Sequence, residues 1–212
     1  MLKQIRSFLI AKSYDYAMRS TEKKCLQQWR NELLTHARGD LLEIGAGTGV
    51  NLPHYPNNVS SLTLSEPDQQ MRKYLRQKVT TEAVDNYAIT SWSSDAIDMP
   101  DDSFDTVVST LVLCSVPCLT SSLNEIKRVL RPNGVLLFLE HIVSDHHPTL
   151  KLQRRIEPLW SFCAGNCRLT RETTAAITSS GLQIEQITEA PMVGAPAFVH
   201  RTIRGVARKT AP

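Results

Sequence analysis

The amino-acid sequence predicts an α/β domain with a seven-stranded, mostly parallel β-sheet and helices on both faces of the sheet. Short apolar segments alternate along the chain with segments of helical periodicity, a pattern typical of βαβ units. A glycine-rich turn, GAGTG at residues 45–49, follows the first apolar segment directly. The 212 residues contain no internal repeat and no linker, so we expect a single domain.

The first helix is predicted over residues 14–38, because apolar side chains between residues 26 and 34 recur at steps of three and four residues. Gly39 is expected to end this helix, since glycine tolerates the left-handed backbone conformation that follows helix ends. We therefore expect an N-terminal helical segment, residues 1–38, packed on a domain formed by residues 39–212.

The remaining elements are predicted from the alternation of short apolar segments with amphipathic ones. The predicted strands are residues 41–44, 62–64, 88–92, 105–111, 135–139, 182–188 and 198–206. The predicted helices after the first are residues 67–78, 119–130, 149–160 and 173–180. The sequence RPNG at residues 131–134 marks the turn before the strongly apolar fifth strand.

Composition and charge argue against a nucleic-acid-binding protein and against a protein that spans a membrane. The chain carries 24 Lys and Arg against 21 Asp and Glu, and the basic residues are spread along it, so we expect no nucleic-acid partner. The two ends are locally basic. We expect them to be solvated, with weak contact to an acidic membrane surface as the alternative. No apolar run approaches the ~20 residues that span a bilayer.

Cysteine usage and the start of the chain indicate a cytoplasmic location. The N-terminal residues lack a secretory cleavage pattern. The five cysteines are odd in number and have no zinc-finger spacing, which favours reduced thiols in a reducing compartment. The sequence leaves the oligomeric state open.

The glycine-rich turn and the residue before it indicate the chemistry of a ligand. Dinucleotide-binding turns have the spacing GxGxxG, but here the position of the third glycine is taken by Val50, and the spacing is GxGxG. Glu43 stands at the end of the first strand, just before the turn. A carboxylate there would repel a pyrophosphate and would suit a ligand that carries an amino group and a sulfonium. S-adenosylmethionine is such a ligand.

These motifs resemble those of the class I S-adenosylmethionine-dependent methyltransferases, which have a Rossmann-like fold. Glu66 ends the second predicted strand, where the family's acid binds the ribose hydroxyls. Asp95 follows the third strand, where the family's acid meets the adenine amino group. The resemblance implies a cofactor site formed by Glu43, Gly45, Ala46, Gly47, Asn51, Glu66, Pro67, Asp95, Ala96, Thr110, Leu111 and Cys114.

Each of these positions also has a purely structural interpretation. The glycines could be ordinary turn residues, and Glu66 could be an acid at a helix start, where Pro67 follows it. Asp95 could be a loop residue in an acidic stretch, residues 95–105. That stretch could in principle hold a divalent metal, but oxygen ligands need a fixed cage, so we expect a solvated turn and no metal.

Four later sequences narrow the resemblance to the small methyltransferase-like proteins that act as alkyl-thiol S-methyltransferases. They are TLVLCSV (110–116), LEH (139–141), EPLW (157–160) and NCRLTRE (166–172). Animal members of that group carry a hydrophobic N-terminal membrane anchor, and the sequence shows no such segment, so we do not expect their membrane anchoring here. The resemblance implies that the methyl acceptor is a small thiol or sulfide.

Several residues after the fifth strand are candidates for an acceptor pocket. His141 could be the general base for an incoming thiol, because histidine exchanges protons near neutral pH; a structural hydrogen-bonding role is the alternative. Two pairs of cysteines four residues apart, 114 with 118 and 163 with 167, could each share a helix face. With histidines at 146 and 147 nearby, a zinc site is conceivable, but the spacing favours buried free thiols.

Two alternative functions share the same cofactor motifs. One is a C- or N-methyltransferase of quinone, lipid or other small-molecule metabolism, which only the region 140–172 could distinguish from a thiol enzyme. The other is a non-catalytic protein that binds S-adenosylmethionine and acts through a partner.

Overall fold

The computed structural model describes residues 2–82 and 85–211, which form a seven-stranded sheet flanked by helices. The strands are β1 (Gly39–Ile44), β2 (Val59–Ser65), β3 (Tyr87–Thr90), β4 (Phe104–Thr110), β5 (Leu130–His141), β6 (Leu182–Pro191) and β7 (Arg201–Lys209). The helices are α1 (Leu2–Thr21), α2 (Gln27–Leu34), α3 (Gln69–Thr81), α4 (Leu119–Val129), α5 (His147–Cys163) and α6 (Thr173–Ser179). A π-helical turn, Glu22–Leu26, connects α1 to α2, and short 3₁₀ turns span Leu52–His54 and Ala197–Val199.

The sheet has the order β3-β2-β1-β4-β5-β7-β6. Strands β1 to β5 are parallel, whereas β7 runs antiparallel to both β5 and β6. The strand order reverses between β1 and β4, which creates a crevice at their carboxyl ends. The predicted fold class, a single α/β domain with a mostly parallel sheet, is confirmed.

The central strands are buried on both faces, as parallel sheets require. Leu41 and Leu42 are adjacent in β1, point to opposite faces and are both fully buried. One face packs against the segment Glu22–Leu34 and α3, and the other packs against α4 and α6. The sheet therefore provides a rigid frame for the loops at its carboxyl edge.

The first helix differs most from its predicted bounds. The helical path begins at Leu2, passes through the π-helical turn and ends at Leu34, earlier than the predicted end at residue 38. Gly39 has φ of +63° but begins β1 and does not end the helix, because residues 35–38 already form the connection. An added Cβ at Gly39 would collide with the side chain of Asp105, so the glycine permits close packing of β1 and β4.

The last strands also differ from prediction. β7 covers Arg201–Lys209, three residues later than expected, because Ala197–Val199 form a 3₁₀ turn. β5 begins at Leu130, before the predicted turn, and pairs there with Phe104 across an irregularity in the register. Within the residues described, no helix combines the length and apolarity needed to cross a bilayer.

Candidate functional site

A cavity opens at the carboxyl ends of β1 and β4, beside the glycine-rich turn. Its lining residues are Tyr14, Arg30, Glu43, Gly45, Ala46, Gly47, Thr48, Val50, Asn51 and Thr110. Six residues of the predicted cofactor site belong to this set: Glu43, Gly45, Ala46, Gly47, Asn51 and Thr110. The cavity lies where the strand order reverses, the usual place for a ligand in an open α/β sheet.

The backbone of the turn needs glycine at two of these positions. Gly45 and Gly47 both have φ of +58°, in the left-handed region that disfavours side chains. A Cβ at Gly45 would lie 2.6 Å from Cγ2 of Val112, so protein atoms already fill that space. A Cβ at Gly47 would meet nothing closer than the Gly45 carbonyl oxygen at 3.9 Å. The turn therefore leaves the backbone at Gly47 open to close approach by a ligand.

Glu66 adjoins this turn from the end of β2. Its Oε2 accepts a hydrogen bond from the backbone N–H of Gly47 at 2.9 Å, and its Oε1 accepts one from the N–H of Asp68 at 2.7 Å. Burial raises the pKa of Glu66, and these two backbone donors oppose that rise. Pro67 is exposed next to it. Glu66 and Pro67 are not among the residues that line the cavity. The Glu66 carboxylate is held beside the glycine-rich turn by the backbone of both flanking segments.

Glu43 is buried at the base of the site, with only 2% of its surface exposed. Its Oε1 accepts from the side-chain amide of Asn51 at 2.8 Å, and its Oε2 accepts from the hydroxyl of Tyr55 at 2.7 Å. Burial raises the pKa of Glu43 to about 7, although these hydrogen bonds and the charge of Arg30 lower it. This carboxyl group therefore changes charge close to neutral pH.

Arg30 of α2 is a central residue of the cavity that the sequence prediction missed. Its Nη1 donates to Oδ1 of Asn51 at 2.7 Å and to the hydroxyl of Thr110 at 2.8 Å, and its Nη2 forms a salt bridge with Glu22 at 3.0 Å. Arg30 lies in a helix between Trp29 and Leu33, two apolar residues on its buried side. A charged residue next to buried positions was the signal in the sequence that could have identified it. The guanidinium places a positive charge beside Glu43.

Helix α1 lies over one side of the cavity. The hydroxyl of Ser7 donates to Asp68 at 2.5 Å, and Asp15 accepts from the hydroxyl of Thr48 at 2.7 Å. Tyr14 lines the cavity, and burial raises its pKa to about 12. The helix is thus attached both to the glycine-rich turn and to the start of α3.

The other predicted cofactor residues lie outside the lining of this cavity. Asp95 is half-buried in the turn after β3, where Ala96 forms an isolated bridge with Ser93. Leu111 has φ of +59°, and its N–H donates to the carbonyl of Leu139 at 2.7 Å. Cys114 lies among the residues of a second cluster.

This second cluster, which we call the thiol cluster, consists of Cys114, His141, Trp160 and Cys167. The His141 ring is only 2% exposed, and its Nδ1 lies 4.0 Å from Sγ of Cys167. The backbone N–H of Arg168 donates to the carbonyl oxygen of Cys114 at 2.9 Å, which places Cys167 next to Cys114. In the described part of the chain, Nε2 of His141 and Nε1 of Trp160 are buried and have no hydrogen-bond partner.

Glu140 holds the thiol cluster in position. This fully buried carboxyl accepts from the backbone N–H of Cys114 at 3.2 Å and of Val112 at 3.1 Å, and from the hydroxyl of Ser109 at 2.7 Å. Burial raises the pKa of Glu140. The carboxyl group therefore fixes the loop that follows β4 against the end of β5.

The predicted pairing of the cysteines is wrong. Cys118 precedes α4 and Cys163 ends α5, both are exposed, and neither shares a helix face with the cysteine four residues away. Helix α5 ends at Cys163, and the chain then turns at Gly165. This turn places Cys167 next to Cys114 and away from the axis of α5. Among the described residues, no three His, Cys, Asp or Glu side chains are grouped as a metal ion would require.

Comparison with known proteins places this geometry in a family. The model of the family described as "Methyltransferase domain" matches residues 42–138. The thiol S-methyltransferase TMT1B of Rattus norvegicus is 35% identical over 78% of this chain and 68% of its own length. The human thiol S-methyltransferase TMT1A is 29% identical over 84% of this chain and 75% of its own length.

Solved structures share the fold. The YcgJ protein of a Bacillus species superposes with a TM-score of 0.70 and 16% identity, over 87% of this chain and all of that one. A putative methyltransferase from Bacillus halodurans gives a TM-score of 0.69 with 13% identity, over 86% and 99% of the two chains. The chain belongs to the thiol S-methyltransferase family, and it is an S-adenosylmethionine-dependent methyltransferase of the class I, Rossmann-like fold.

Proposed function

We propose that this enzyme transfers the methyl group of S-adenosylmethionine to a small, fairly apolar thiol or sulfide without a metal ion. The observation that carries the proposal is the 35% identity to a thiol S-methyltransferase over most of the chain. A thiolate attacks the sulfonium in line, so two opposite charges disappear in the transition state. A water-poor pocket therefore favours the reaction, and alignment supplies much of the catalysis.

The cofactor is proposed to occupy the cavity beside the glycine-rich turn. No protein atom would lie within 3.9 Å of a Cβ at Gly47, so a ligand can approach the backbone of the turn there. Glu66 bonds the same turn, and its carboxylate is proposed to bind the ribose hydroxyls. Glu43 is proposed to attract the cofactor through its charge and not through a direct hydrogen bond, because its two oxygens already accept hydrogen bonds from Asn51 and Tyr55. Its negative charge favours binding of the positively charged amino group and sulfonium of the cofactor.

Arg30 is proposed to bind the carboxylate of the cofactor. It is a positive side chain that lines the cavity, and its position is fixed by Asn51 and Thr110. Guanidinium groups bind carboxylates with strong, directional hydrogen bonds. The segment 1–38 would then cover the cofactor held by the domain 39–212, with Tyr14 and Arg30 as its contributions to the site.

The acceptor is proposed to bind near the thiol cluster. His141 lies at the end of β5, and its Nε2 is buried with no partner among the described residues. An unsatisfied ring nitrogen in a buried site suits a general base for an incoming thiol. Trp160, which packs edge-on against Phe198 with ring centroids 5.0 Å apart, would form an apolar wall.

A turnover assay with several acceptor classes tests the proposal. The purified protein is incubated with S-adenosylmethionine and with sulfide, alkyl thiols, quinols or amines, with and without a chelator. S-adenosylhomocysteine and the methylated products are measured. We expect turnover of thiols that survives the chelator. Methylation of a quinol or an amine, with no turnover of any thiol, would overturn the acceptor but not the cofactor.

The alternative acceptor is a quinol. The ubiquinone/menaquinone biosynthesis C-methyltransferase UbiE of Shewanella sediminis is 29% identical over 58% of this chain and 49% of its own length. The lower identity and coverage favour the thiol. Absence of turnover on every acceptor would support a non-catalytic binding protein.

We also propose a cytoplasmic enzyme that touches an anionic membrane surface through α1 and α5. Their exposed apolar side chains include Ile5, Leu9, Leu159 and Phe162, with exposed fractions of 50–71%. Arg6 of α1 lies 5.1 Å from the centre of the Phe162 ring, so the two helices are neighbours. The same helices carry exposed basic residues, among them Lys12, Lys151 and Arg155. Apolar side chains beside basic ones suit an acidic lipid surface.

Flotation with vesicles tests this contact. The protein should float with vesicles that contain phosphatidylserine and should float less with neutral ones. Leu159→Ser should weaken flotation, whereas Ile187→Ser, at an exposed apolar residue of β6, should not. Equal flotation of both variants would contradict the proposed face.

A further inference from the structure

We propose that Cys114 and Cys167 form a reversible oxidation site, at which a hydroperoxide converts the two thiols of this enzyme into a disulfide bond. The site lies outside the cofactor cavity. The proposal concerns the cysteines themselves and does not depend on the identity of the methyl acceptor.

The backbone already holds the two cysteines side by side. The N–H of Arg168 donates to the carbonyl oxygen of Cys114 at 2.9 Å. The side-chain amide of Asn166 donates to the carbonyl oxygen of Ser115 at 2.7 Å. A disulfide needs Cα atoms about 4.4–6.8 Å apart. The hydrogen bond between Arg168 and Cys114 places the backbone of the preceding residue, Cys167, beside that of Cys114.

The side chains meet in the same place. Sγ of Cys167 lies 4.0 Å from Nδ1 of His141, and the Cys114 and Cys167 thiols influence the pKa of each other, so the two side chains lie close together. Glu140 accepts a hydrogen bond from the N–H of Cys114 and fixes this residue. Cys114 is buried and Cys167 is half-buried, so a small oxidant reaches Cys167 first.

Cys167 has the environment of a reactive thiol. The neighbouring Cys114 thiol and the His141 ring, whose Nδ1 lies 4.0 Å from Sγ of Cys167, lower the pKa of Cys167. The nearby Cys167 sulfur, together with burial, raises the pKa of Cys114. Cys167 is thus the thiolate of the pair and the nucleophile, while Cys114 keeps its proton.

The reaction has two balanced steps. In the first, the Cys167 thiolate attacks one oxygen of hydrogen peroxide; an S–O bond forms, the O–O bond breaks, and hydroxide leaves. In the second, the sulfur of Cys114 attacks the sulfenic acid; the S–S bond forms, the S–O bond breaks, and hydroxide leaves with the Cys114 proton as water. The two cysteines lose two electrons, and the peroxide gains them.

The other three cysteines lack this arrangement. Cys118 and Cys163 are exposed, and Cys25 is buried against the carbonyl oxygens of Thr21 and Val193. Burial raises the pKa of Cys25. We therefore expect an intramolecular disulfide between Cys114 and Cys167 alone.

The test uses the purified, reduced full-length chain and a small excess of hydrogen peroxide, with no methyl acceptor present. Free thiols are counted after quenching and denaturation, and non-reducing peptide mapping by mass spectrometry locates the bond. We expect the count to fall from five to three, one cross-link between the peptides of Cys114 and Cys167, and recovery of five thiols with a dithiol. This measurement does not use methyl transfer, so it remains decisive if the proposed acceptor is wrong.

Two variants sharpen the result. Cys163→Ser, which removes an exposed cysteine four residues from Cys167, should still lose two thiols. Cys167→Ser should keep its four thiols under the same treatment. A cross-link that involves Cys118 or Cys163, or oxidation of Cys167 to sulfinic acid with no cross-link to Cys114, would overturn the proposal.

Discussion

Arg30 and Asn51 are joined by a hydrogen bond of 2.7 Å between Nη1 and Oδ1, and this bond connects the N-terminal helices to the glycine-rich turn. Asn51 in turn donates to Glu43, so one chain of contacts runs from α2 to β1. The N-terminal helices are therefore part of the site, and a change in Arg30 should affect stability and cofactor binding together.

Arg30→Met should destabilise the protein strongly. The variant leaves Glu22, Asn51 and Thr110 without a partner. Arg30 is buried and Glu22 is half-buried, so the loss should approach the ~3 kcal/mol of unfolding free energy that breaking a buried pair typically costs. Urea unfolding measures the loss, and Glu22→Gln added to Arg30→Met should recover part of it. The control is Arg208→Met, which breaks a more exposed pair with Glu185 and should cost about 1 kcal/mol or less. Equal losses in the two single variants would contradict this assignment.

Gly47→Ala should weaken cofactor binding much more than it weakens the fold. The added methyl group meets no protein atom closer than 3.9 Å, so it occupies space that the cofactor needs. Gly165→Ala is a matched control, because Gly165 has φ of +60° and also has open space around it. Calorimetry with S-adenosylmethionine should show a large loss of affinity only for Gly47→Ala, while the two variants show similar thermal stability. Unchanged affinity would exclude the turn as the cofactor site.

Glu43 should make stability depend on pH between about 4.5 and 7. Its pKa in the folded protein is raised to about 7 by burial, so the folded state binds more protons in this interval than the unfolded state does. The stabilisation is complete below the unfolded pKa of about 4.5 and is lost as the pH rises through about 7. Unfolding free energies measured from pH 5 to 8 should fall for the wild type relative to Glu43→Gln. A constant difference between the two proteins would contradict a raised pKa.

The same residue should release a proton when the cofactor binds. A positively charged ligand near Glu43 stabilises the ionised carboxylate, so binding near pH 7 should shift the group toward its charged form. Calorimetry in buffers of different ionisation enthalpy measures the released proton, and Glu43→Gln should abolish the release.

His141→Ala should slow methylation of thiols with a high pKa more than that of acidic thiols. A general base is needed only where the acceptor is not already ionised. His146→Ala, at an exposed histidine before α5, should leave both rates unchanged. Steady-state rates over a series of thiols measure the difference. Equal losses for acidic and weakly acidic thiols would leave His141 with a structural role.

The strands and the glycine-rich turn that lines the cavity could be predicted from the sequence, because both depend on local patterns. Leu41 and Leu42 belong to a short apolar run that predicts a buried strand. Gly45 and Gly47 follow that strand with the glycine spacing typical of class I methyltransferases. The contribution of Arg30 could not be predicted, because it depends on contacts with Asn51 and Thr110, which lie 21 and 80 residues away. Periodicity identifies which side of a helix is buried but not which partner it meets.

The proximity of Cys114 and Cys167 could not be predicted from the sequence for a related reason. A spacing of four residues suggests neighbours only inside a helix, and Cys167 lies beyond the end of α5. The bounds of β7 were displaced because a 3₁₀ turn at Ala197–Val199 shares the apolar character of a strand. In both cases the prediction was wrong because it depended on the path of the backbone between two elements, which the composition of the elements does not reveal.

The π-helical turn Glu22–Leu26 sets the rotational phase of α1 relative to α2. Each residue of an α-helix advances the chain by about 100° around the axis, so one residue removed from this turn would rotate all of α1 by roughly that angle. Tyr14 and Asp15 would then point away from the cavity, although the sequence of α1 would be unchanged. The insertion or loss of a single codon in this turn would change which side of α1 faces the cavity.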